Sequence, residues 1–135
     1  MSKTVAEKLL IKPGANLWIS HPDRTHLLEP LPDGVGTADS LASATLGFIF
    51  ADDAEKVREI LTAQHKHLAK PAILWVAYPK SPKVNLNRDS LWKILVDYGM
   101  RPNGQVAVDD DWSAMRYRAL NDGEAPFTGG GSKGA

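Results

Sequence analysis

Apolar residues along the chain gather into short runs, separated by polar stretches that often have helical periodicity. The bulky runs NLWIS (16–20), LGFIF (46–50) and AILWVAY (72–78) predict three strands. The last run is apolar at every position, so it should be covered on both faces, as a central strand of a parallel sheet is. A weaker strand is predicted at 35–37.

Two of the intervening stretches carry apolar residues at the spacing of an amphipathic helix. The stretch 52–70 has the strongest helical pattern, with Asp52 as its expected N-cap and Glu55 completing a capping box. A second helix follows Asn87 and ends before Gly99, which suits the left-handed position after a helix. Shorter helical stretches are predicted at 4–10 and 24–28.

The last two predicted strands, QVAVD (105–109) and WSAMRYR (112–118), are joined by a tight connection of aspartates and should pair antiparallel. Strands that alternate with helices indicate right-handed α/β crossovers. The sequence thus predicts a three-layer Rossmann-like α/β sandwich, with a mostly parallel central sheet that ends in an antiparallel hairpin. Residues 1–120 should form this single domain, and residues 121–135 a flexible, glycine-rich tail.

Charge and composition narrow the classes of function. Lysine plus arginine number 16, as do aspartate plus glutamate, so the formal net charge is zero. A nucleic-acid binder would carry a basic excess, and no nucleic-acid partner is expected. No apolar stretch reaches the roughly 18 residues of a membrane span, and the N-terminus lacks the pattern of a signal peptide. Without cysteine, thiolate chemistry is excluded, and we expect a cytoplasmic protein without membrane contact.

The order of elements over residues 14–118 resembles the Rossmann-like layout of class I methyltransferases, which also finish in an antiparallel hairpin. The resemblance implies a glycine-rich turn after the first strand, where a cofactor approaches the backbone and the next helix. Here that strand runs into His21 and Pro22, and proline supplies no N–H. Asp39 is only a weak candidate for the acidic residue that would bind a ribose. We therefore expect no cofactor.

Four segments carry a second resemblance. They are AEKLLIKPG (6–14), LWVAYPK (74–80), RDSLW (88–92) and QVAVDDDWSAMRYR (105–118). In combination they are similar to a family of small, mostly actinobacterial domains of unknown function, which close in a WSALRFR-like hairpin. Met115 and Tyr117 are mild departures from that closing pattern. The resemblance implies one intact domain and brings no reaction or cofactor with it.

Polar side chains follow the predicted strands at the points where those strands leave the core. Because ligands bind outside the carboxyl ends of strands in open α/β sheets, this edge could hold a small anion or support acid–base chemistry. Its candidate residues are Ser20, His21, Asp52, Tyr78, Lys80, Ser81 and Arg88. The structural alternative is that charges and prolines collect wherever strands surface. Neither serine has the GxSxG context of a nucleophile elbow.

No metal site is expected from the sequence. His65 and His67 are two residues apart on a predicted helix and cannot share a ligand, and no third ligand is suggested for His21 and His26. The aspartate triplet 109–111 lacks the glycine and the distant glutamate of a calcium loop. A solvated hairpin turn is the better interpretation of that triplet.

One face of the last predicted strand carries Trp112, Arg116 and Arg118, residue types that are enriched in binding hot spots. Together with the missing glycine turn and the incomplete catalytic sets, this favours a non-catalytic domain that acts through a protein partner or a homodimer. The alternative is a binder of a small anionic ligand, or an enzyme, that uses the strand edge around Lys80.

Overall fold

The chain folds into one six-stranded mixed sheet with helices on both faces. The structure is a computed structural model and describes residues 4–81 and 83–128. In chain order the elements are α1 (Val5–Lys8), β1 (Asn16–Ile19), a 3₁₀ helix (Pro22–Leu28), β2 (Gly36–Thr37), a 3₁₀ turn (Leu41–Ser43), β3 (Leu46–Phe50), α2 (Ala54–Ala63), a 3₁₀ turn (His65–His67), β4 (Ile73–Pro79), α3 (Arg88–Val96), β5 (Met100–Ala107) and β6 (Trp112–Ala119).

The strand order across the sheet is β2-β1-β3-β4-β6-β5, with the first four strands parallel. Strand β6 runs antiparallel between β4 and β5, which confirms the predicted closing hairpin. The chain moves outward from β1 to β2 and then crosses back to β3 on the other side of β1. The order of the strands therefore reverses between β1 and β3, and the carboxyl ends of these two strands border the crevice where open α/β sheets bind ligands.

Two buried clusters cover the two faces of the sheet and make the fold three-layered, as predicted. Helices α2 and α3 cover one face, where Val57, Leu61 and Leu91 are fully buried. Helix α1 and the 3₁₀ helix 22–28 cover the other face, with Leu9 and Leu28 fully buried. Each such side chain contributes roughly 1.5–3 kcal/mol by leaving water. The indole of the buried β4 residue Trp75 also donates to the Leu9 carbonyl oxygen at 2.9 Å, which ties α1 to the sheet.

Helix α2 differs from its prediction at both ends. Its N-cap is Asp53, whose carboxylate accepts from the Lys56 amide at 2.7 Å, so the assignment of that role to Asp52 was wrong. The regular helix ends at Ala63, and His65 and His67 lie in the following 3₁₀ turn. Because Asp52 does not cap the helix, its carboxylate is available to bind other residues of the crevice.

Strand β5 begins at Met100, five residues before its predicted start. Pro102 and Gly104 look like breakers in the sequence, but the ladder to β6 absorbs them through a register shift between these two residues. Proline and glycine are tolerated here because β5 is an outer strand of the sheet.

The chain after β6 continues along the domain. Residues 121–128, which fall in the stretch predicted as a flexible tail, contact the sheet and α3 through Glu124 and Phe127. Residues 129–135 lie outside the described residues, and the prediction of a flexible tail stands for them only as a prediction. Within the described ranges, none of the helices has the length and apolar character needed to cross a membrane.

Candidate functional site

The crevice between the ends of β1 and β3 holds three of the predicted site residues. Ser20 and His21 follow β1, and Asp52 follows β3. The Ser20 hydroxyl accepts the Phe50 amide hydrogen at 2.8 Å and lies 2.8 Å from His21 Nδ1. His21 Nε2 lies 3.8 Å from a carboxylate oxygen of Asp52. The parallel topology thus brings these side chains together, as the sequence predicted.

Arg24, a residue that no sequence pattern marks as functional, completes this cluster. Its guanidinium makes two hydrogen bonds to Asp52, at 2.8 and 3.1 Å, in the planar fork that suits a carboxylate. The same group lies over the rings of Phe50 and Trp112, 5.3 and 5.5 Å from their centroids. We call Arg24, Asp52, Phe50 and Trp112 the crevice cluster. Only its long-range contacts mark Arg24, because the local sequence indicates no more than a helical turn.

The ion pair changes the protonation behaviour of both partners. The hydrogen bonds from Arg24 lower the pKa of Asp52 below its usual value, although partial burial opposes this. The same hydrogen bonds raise the pKa of Arg24. Both groups therefore stay charged and paired across the neutral pH range.

The crevice does not fit the cofactor that the methyltransferase-like layout implies. A glycine-rich turn would present backbone N–H groups and leave room for the ligand. Here His21 and Pro22 begin a 3₁₀ helix, Pro22 has no N–H, and the Arg24 amide already donates to the His21 carbonyl oxygen at 2.9 Å. The crevice cluster lies next to this turn.

Lys80 lies at the other end of the strand edge and is held by the β5–β6 connection. Its ammonium donates to the Asp109 carbonyl oxygen at 2.6 Å, and its amide donates to the Asp111 carbonyl oxygen at 2.9 Å. Lys80 lines an open hollow of about 330 Å³ together with the carboxylates Asp110 and Asp111. Those carboxylates make the hollow a poor place for an anionic ligand.

The remaining candidates of the strand edge are dispersed. The Tyr78 hydroxyl is buried and accepts from Gln105 at 2.7 Å. The Ser81 hydroxyl accepts the Lys83 amide hydrogen at 3.2 Å. Arg88 begins α3, where its exposed guanidinium lies 3.6 Å from Asp89. The structure gives these three side chains local partners of their own.

A second cavity of about 330 Å³, which no sequence pattern indicates, lies beside the outer edge of β1. The 3₁₀ helix and the loop that leads to β2 enclose it, with apolar walls that include Leu17, Leu31 and Val35. Thr25 and Asp39 are among its polar lining residues. Asp39, the weak ribose candidate, thus faces a cavity next to the crevice.

The three residues of the predicted partner surface are all half-buried, and two of them have contacts within the domain. Trp112 is half-buried beneath Arg24 and packs on Phe50, with ring centroids 5.2 Å apart. Arg118 is bound to Glu124 of the chain after β6. Arg116 is half-buried on the same face of the strand.

Metal-binding side chains are dispersed as well. Within residues 4–81 and 83–128, no group of three or more histidine, aspartate or glutamate side chains is placed to hold a metal ion.

Comparison with known proteins identifies the fold. The sequence matches no protein-family model, and no curated protein matches it. The tRNA methyltransferase TrmK from B. subtilis is 13% identical with a TM-score of 0.53, over 93% of this chain and 71% of that one. A protein of the NADB-Rossmann superfamily from Streptococcus agalactiae is 12% identical with a TM-score of 0.54, over 90% and 70%. Magnesium protoporphyrin IX methyltransferase from Synechocystis PCC 6803, solved with bound SAM, is 8% identical with a TM-score of 0.51, over 86% and 74%.

These similarities confirm a Rossmann-like fold of the kind that methyltransferases use. At such low identity they show the fold alone. The resemblance to the actinobacterial family of unknown function remains a prediction.

Proposed function

We propose that this chain is a methyltransferase-like domain without a working cofactor site, and that it acts as a non-catalytic module through contacts with a protein partner. The observation that carries the proposal is the Arg24–Asp52 ion pair in the crevice, where this fold class binds its ligands. A ligand entering there would have to separate Arg24 from Asp52. It would also have to move the Arg24 guanidinium off the Phe50 and Trp112 rings.

Displacing the pair is unfavourable because each group would lose a charge-assisted partner in a partly buried place. Removing one member of such a pair leaves the other charge uncompensated. The backbone offers little in exchange, since Pro22 has no N–H to donate. A neutral or zwitterionic ligand would therefore bind weakly at this position.

The catalytic alternative in the crevice is also weak. The arrangement of Ser20, His21 and Asp52 has the order of a hydrolytic triad. However, the side chains of Ser20 and Asp52 already make hydrogen bonds to other groups. The Ser20 oxygen accepts the Phe50 amide hydrogen, which lowers its nucleophilicity. Asp52 directs its short hydrogen bonds to Arg24, and its distance of 3.8 Å from His21 is too long for a hydrogen bond.

Calorimetric titration with S-adenosylmethionine and S-adenosylhomocysteine tests the proposal. We expect no saturable binding by the unaltered chain tighter than about 1 mM. The double variant Arg24→Ala/Asp52→Ala removes both charges together, so a gain of binding in it would identify the ion pair as the barrier. One-to-one, saturable binding of either compound by the unaltered chain would refute the proposal.

A second candidate function is small-molecule binding in the cavity beside β1. Its apolar walls and the single carboxylate of Asp39 suit a ligand with an apolar body and hydroxyl groups. Adenosine is a suitable probe, because a carboxylate can accept from both ribose hydroxyls. Saturable shifts of the NMR signals of Thr25 and Val35, abolished by Asp39→Ala and retained by Asp33→Ala, would favour this function over the first.

A further inference from the structure

The chain after β6 folds back and is anchored to the domain by two side chains. Residues 121–128, which we call the C-terminal segment, contain no helix or strand. Glu124 anchors the segment to β5 and β6, and Phe127 anchors it to β5 and α3. Two residues separate the two anchors, in the pattern Glu-Ala-Pro-Phe.

Two arginines on neighbouring strands hold the Glu124 carboxylate. Arg118 binds both carboxylate oxygens, at 2.8 and 2.9 Å, and Arg101 binds one of them at 2.9 Å. Arg101 and Arg118 are direct partners in the β5–β6 ladder, so their side chains leave the same face of the sheet. The hairpin thus presents a paired guanidinium site that matches one carboxylate.

An aromatic contact accompanies the ionic one. Phe127 packs edge-on against Trp92 of α3, with ring centroids 4.7 Å apart and planes at 83°. The Arg101 guanidinium lies 5.3 Å from the centroid of the Phe127 ring. Arg101 therefore belongs to both contacts and joins them into a continuous surface. We call Trp92, Arg101 and Arg118 the arginine site.

The ionic contacts of the C-terminal segment lie at the surface of the domain. The Arg101 and Arg118 side chains keep 27% and 37% of their surface exposed, and water and salt screen such pairs. The segment adds no strand to the sheet, and Gly123 turns within it at a φ of +78°. Neither Glu124 nor Phe127 belongs to a core cluster, so detaching the segment leaves both clusters intact.

We propose that the arginine site is a docking site for an acidic peptide of a protein partner, and that the C-terminal segment occupies this site when the partner is absent. The peptide would carry a glutamate followed three residues later by an aromatic residue, the chemistry that the segment itself places there. The proposal rests on the proposed function, because it names the partner contact of a non-catalytic domain.

The tethered segment competes with any partner. A flexible linker of a few residues holds its end at an effective concentration in the millimolar range. A peptide with the same contacts therefore binds the unaltered chain poorly, and binds better once the anchors of the segment are removed. A natural partner would gain its advantage from contacts beyond this motif.

Fluorescence polarisation with a labelled peptide of sequence LNDGEAPFT, residues 120–128, tests the proposal on the full chain. We expect the variant Glu124→Ala/Phe127→Ala to bind this peptide about tenfold more tightly than the unaltered chain, because the competitor is gone. Adding Arg118→Ala to that variant should abolish binding. Adding Arg58→Ala, which removes an exposed arginine on α2, should not. Unchanged far-UV circular dichroism checks that the variants are folded.

Three results would overturn the proposal. They are the absence of saturable peptide binding by the Glu124→Ala/Phe127→Ala variant, equal affinity of that variant and the unaltered chain, and binding that survives Arg118→Ala. A concentration-dependent dimer of the unaltered chain that this variant loses would instead make a second copy the occupant. Titrating S-adenosylmethionine into the same preparations separates the two hypotheses, since a failed peptide test leaves the closed crevice standing.

Discussion

Gly47 is the second residue of β3, and its neighbours occupy the space that a β-carbon would need. An added β-carbon would overlap the Leu41 side chain and lie 3.1 Å from Leu74 Cδ1. Gly47→Ala should therefore lower the free energy of unfolding by about 1–3 kcal/mol, as overpacking of a core does. Urea denaturation measures this effect.

The matched control is Gly36→Ala in β2. A β-carbon there would meet only the Asn16 side chain, at an ordinary contact distance of 3.5 Å. We expect a change within about 0.5 kcal/mol. Equal effects of the two substitutions would show that close packing on Gly47 is not what requires glycine there.

Lys80 ends the central strand β4, and its hydrogen bond to the Asp109 carbonyl oxygen gives it a local structural role. Lys80→Ala should lower the free energy of unfolding by about 1 kcal/mol. It should also speed amide hydrogen exchange at residues 109–112, because the aspartate-rich connection loses a nearby cation. Lys70→Ala, an exposed lysine before β4, serves as the control and should leave that exchange unchanged. Unaltered exchange in Lys80→Ala would contradict the structural role.

The two adjacent aspartates show what a local pattern cannot decide. Either Asp52 or Asp53 suits an N-cap by residue type, and the capping-box spacing to Glu55 favours Asp52. Arg24, which lies 28 residues before Asp52 in the chain, binds the Asp52 carboxylate. Asp53 is therefore the residue that caps the helix. Contacts of this separation leave no periodic trace in the sequence, and the crevice cluster was missed for that reason.

The attachment of the C-terminal segment to β5 and β6 should depend on pH. The Arg118 hydrogen bonds, followed by that of the Asn121 amide, lower the pKa of Glu124 from 4.5 to about 2. Because the folded-state pKa is the lower one, this stabilisation is present above pH 4.5 and is lost as the pH falls from 4.5 towards 2. The segment should therefore detach within that window.

NMR signals of the indole N–H groups can follow this detachment. The Trp92 signal should shift with the segment, while the Trp75 signal, from a buried indole bonded to Leu9, reports on the global fold. The variant Glu124→Gln should resemble the detached form already at neutral pH. A Trp92 signal that moves only together with that of Trp75 would mean that the segment does not detach separately.

The strands and helices themselves followed largely from the sequence. Strands β1, β3, β4 and β6 were predicted within two residues of their observed ends, and β3 and β4 stand out because buried strands form nearly continuous apolar runs. The start of β5 was missed because an outer strand tolerates proline and glycine, which elsewhere end strands. The gathering of Ser20, His21 and Asp52 was predictable from parallel topology, whereas the anchoring of Glu124 on two arginines was not.

The central strands β3 and β4 contribute side chains to both core clusters, one on each face of the sheet. In β3, Phe48 faces the α1 side of the sheet and Ile49 the α2–α3 side, and in β4 Trp75 and Val76 alternate in the same way. Neither layer can unfold without exposing strands that the other layer needs. The described domain should therefore unfold in a single cooperative transition.

Two substitutions, one on each face, test this coupling. Phe48→Ala should cost about 3–5 kcal/mol and Leu61→Ala about 2–5 kcal/mol, because both side chains are fully buried. In each variant the urea transitions followed by tryptophan fluorescence and by far-UV circular dichroism should move together to lower concentration. Leu10→Ala, which truncates a leucine that is 39% exposed, should shift neither transition by more than about 0.5 kcal/mol. If Leu61→Ala moved only one of the two transitions, the layer of α2 and α3 would be an independent folding unit and the sheet would not couple the two cores.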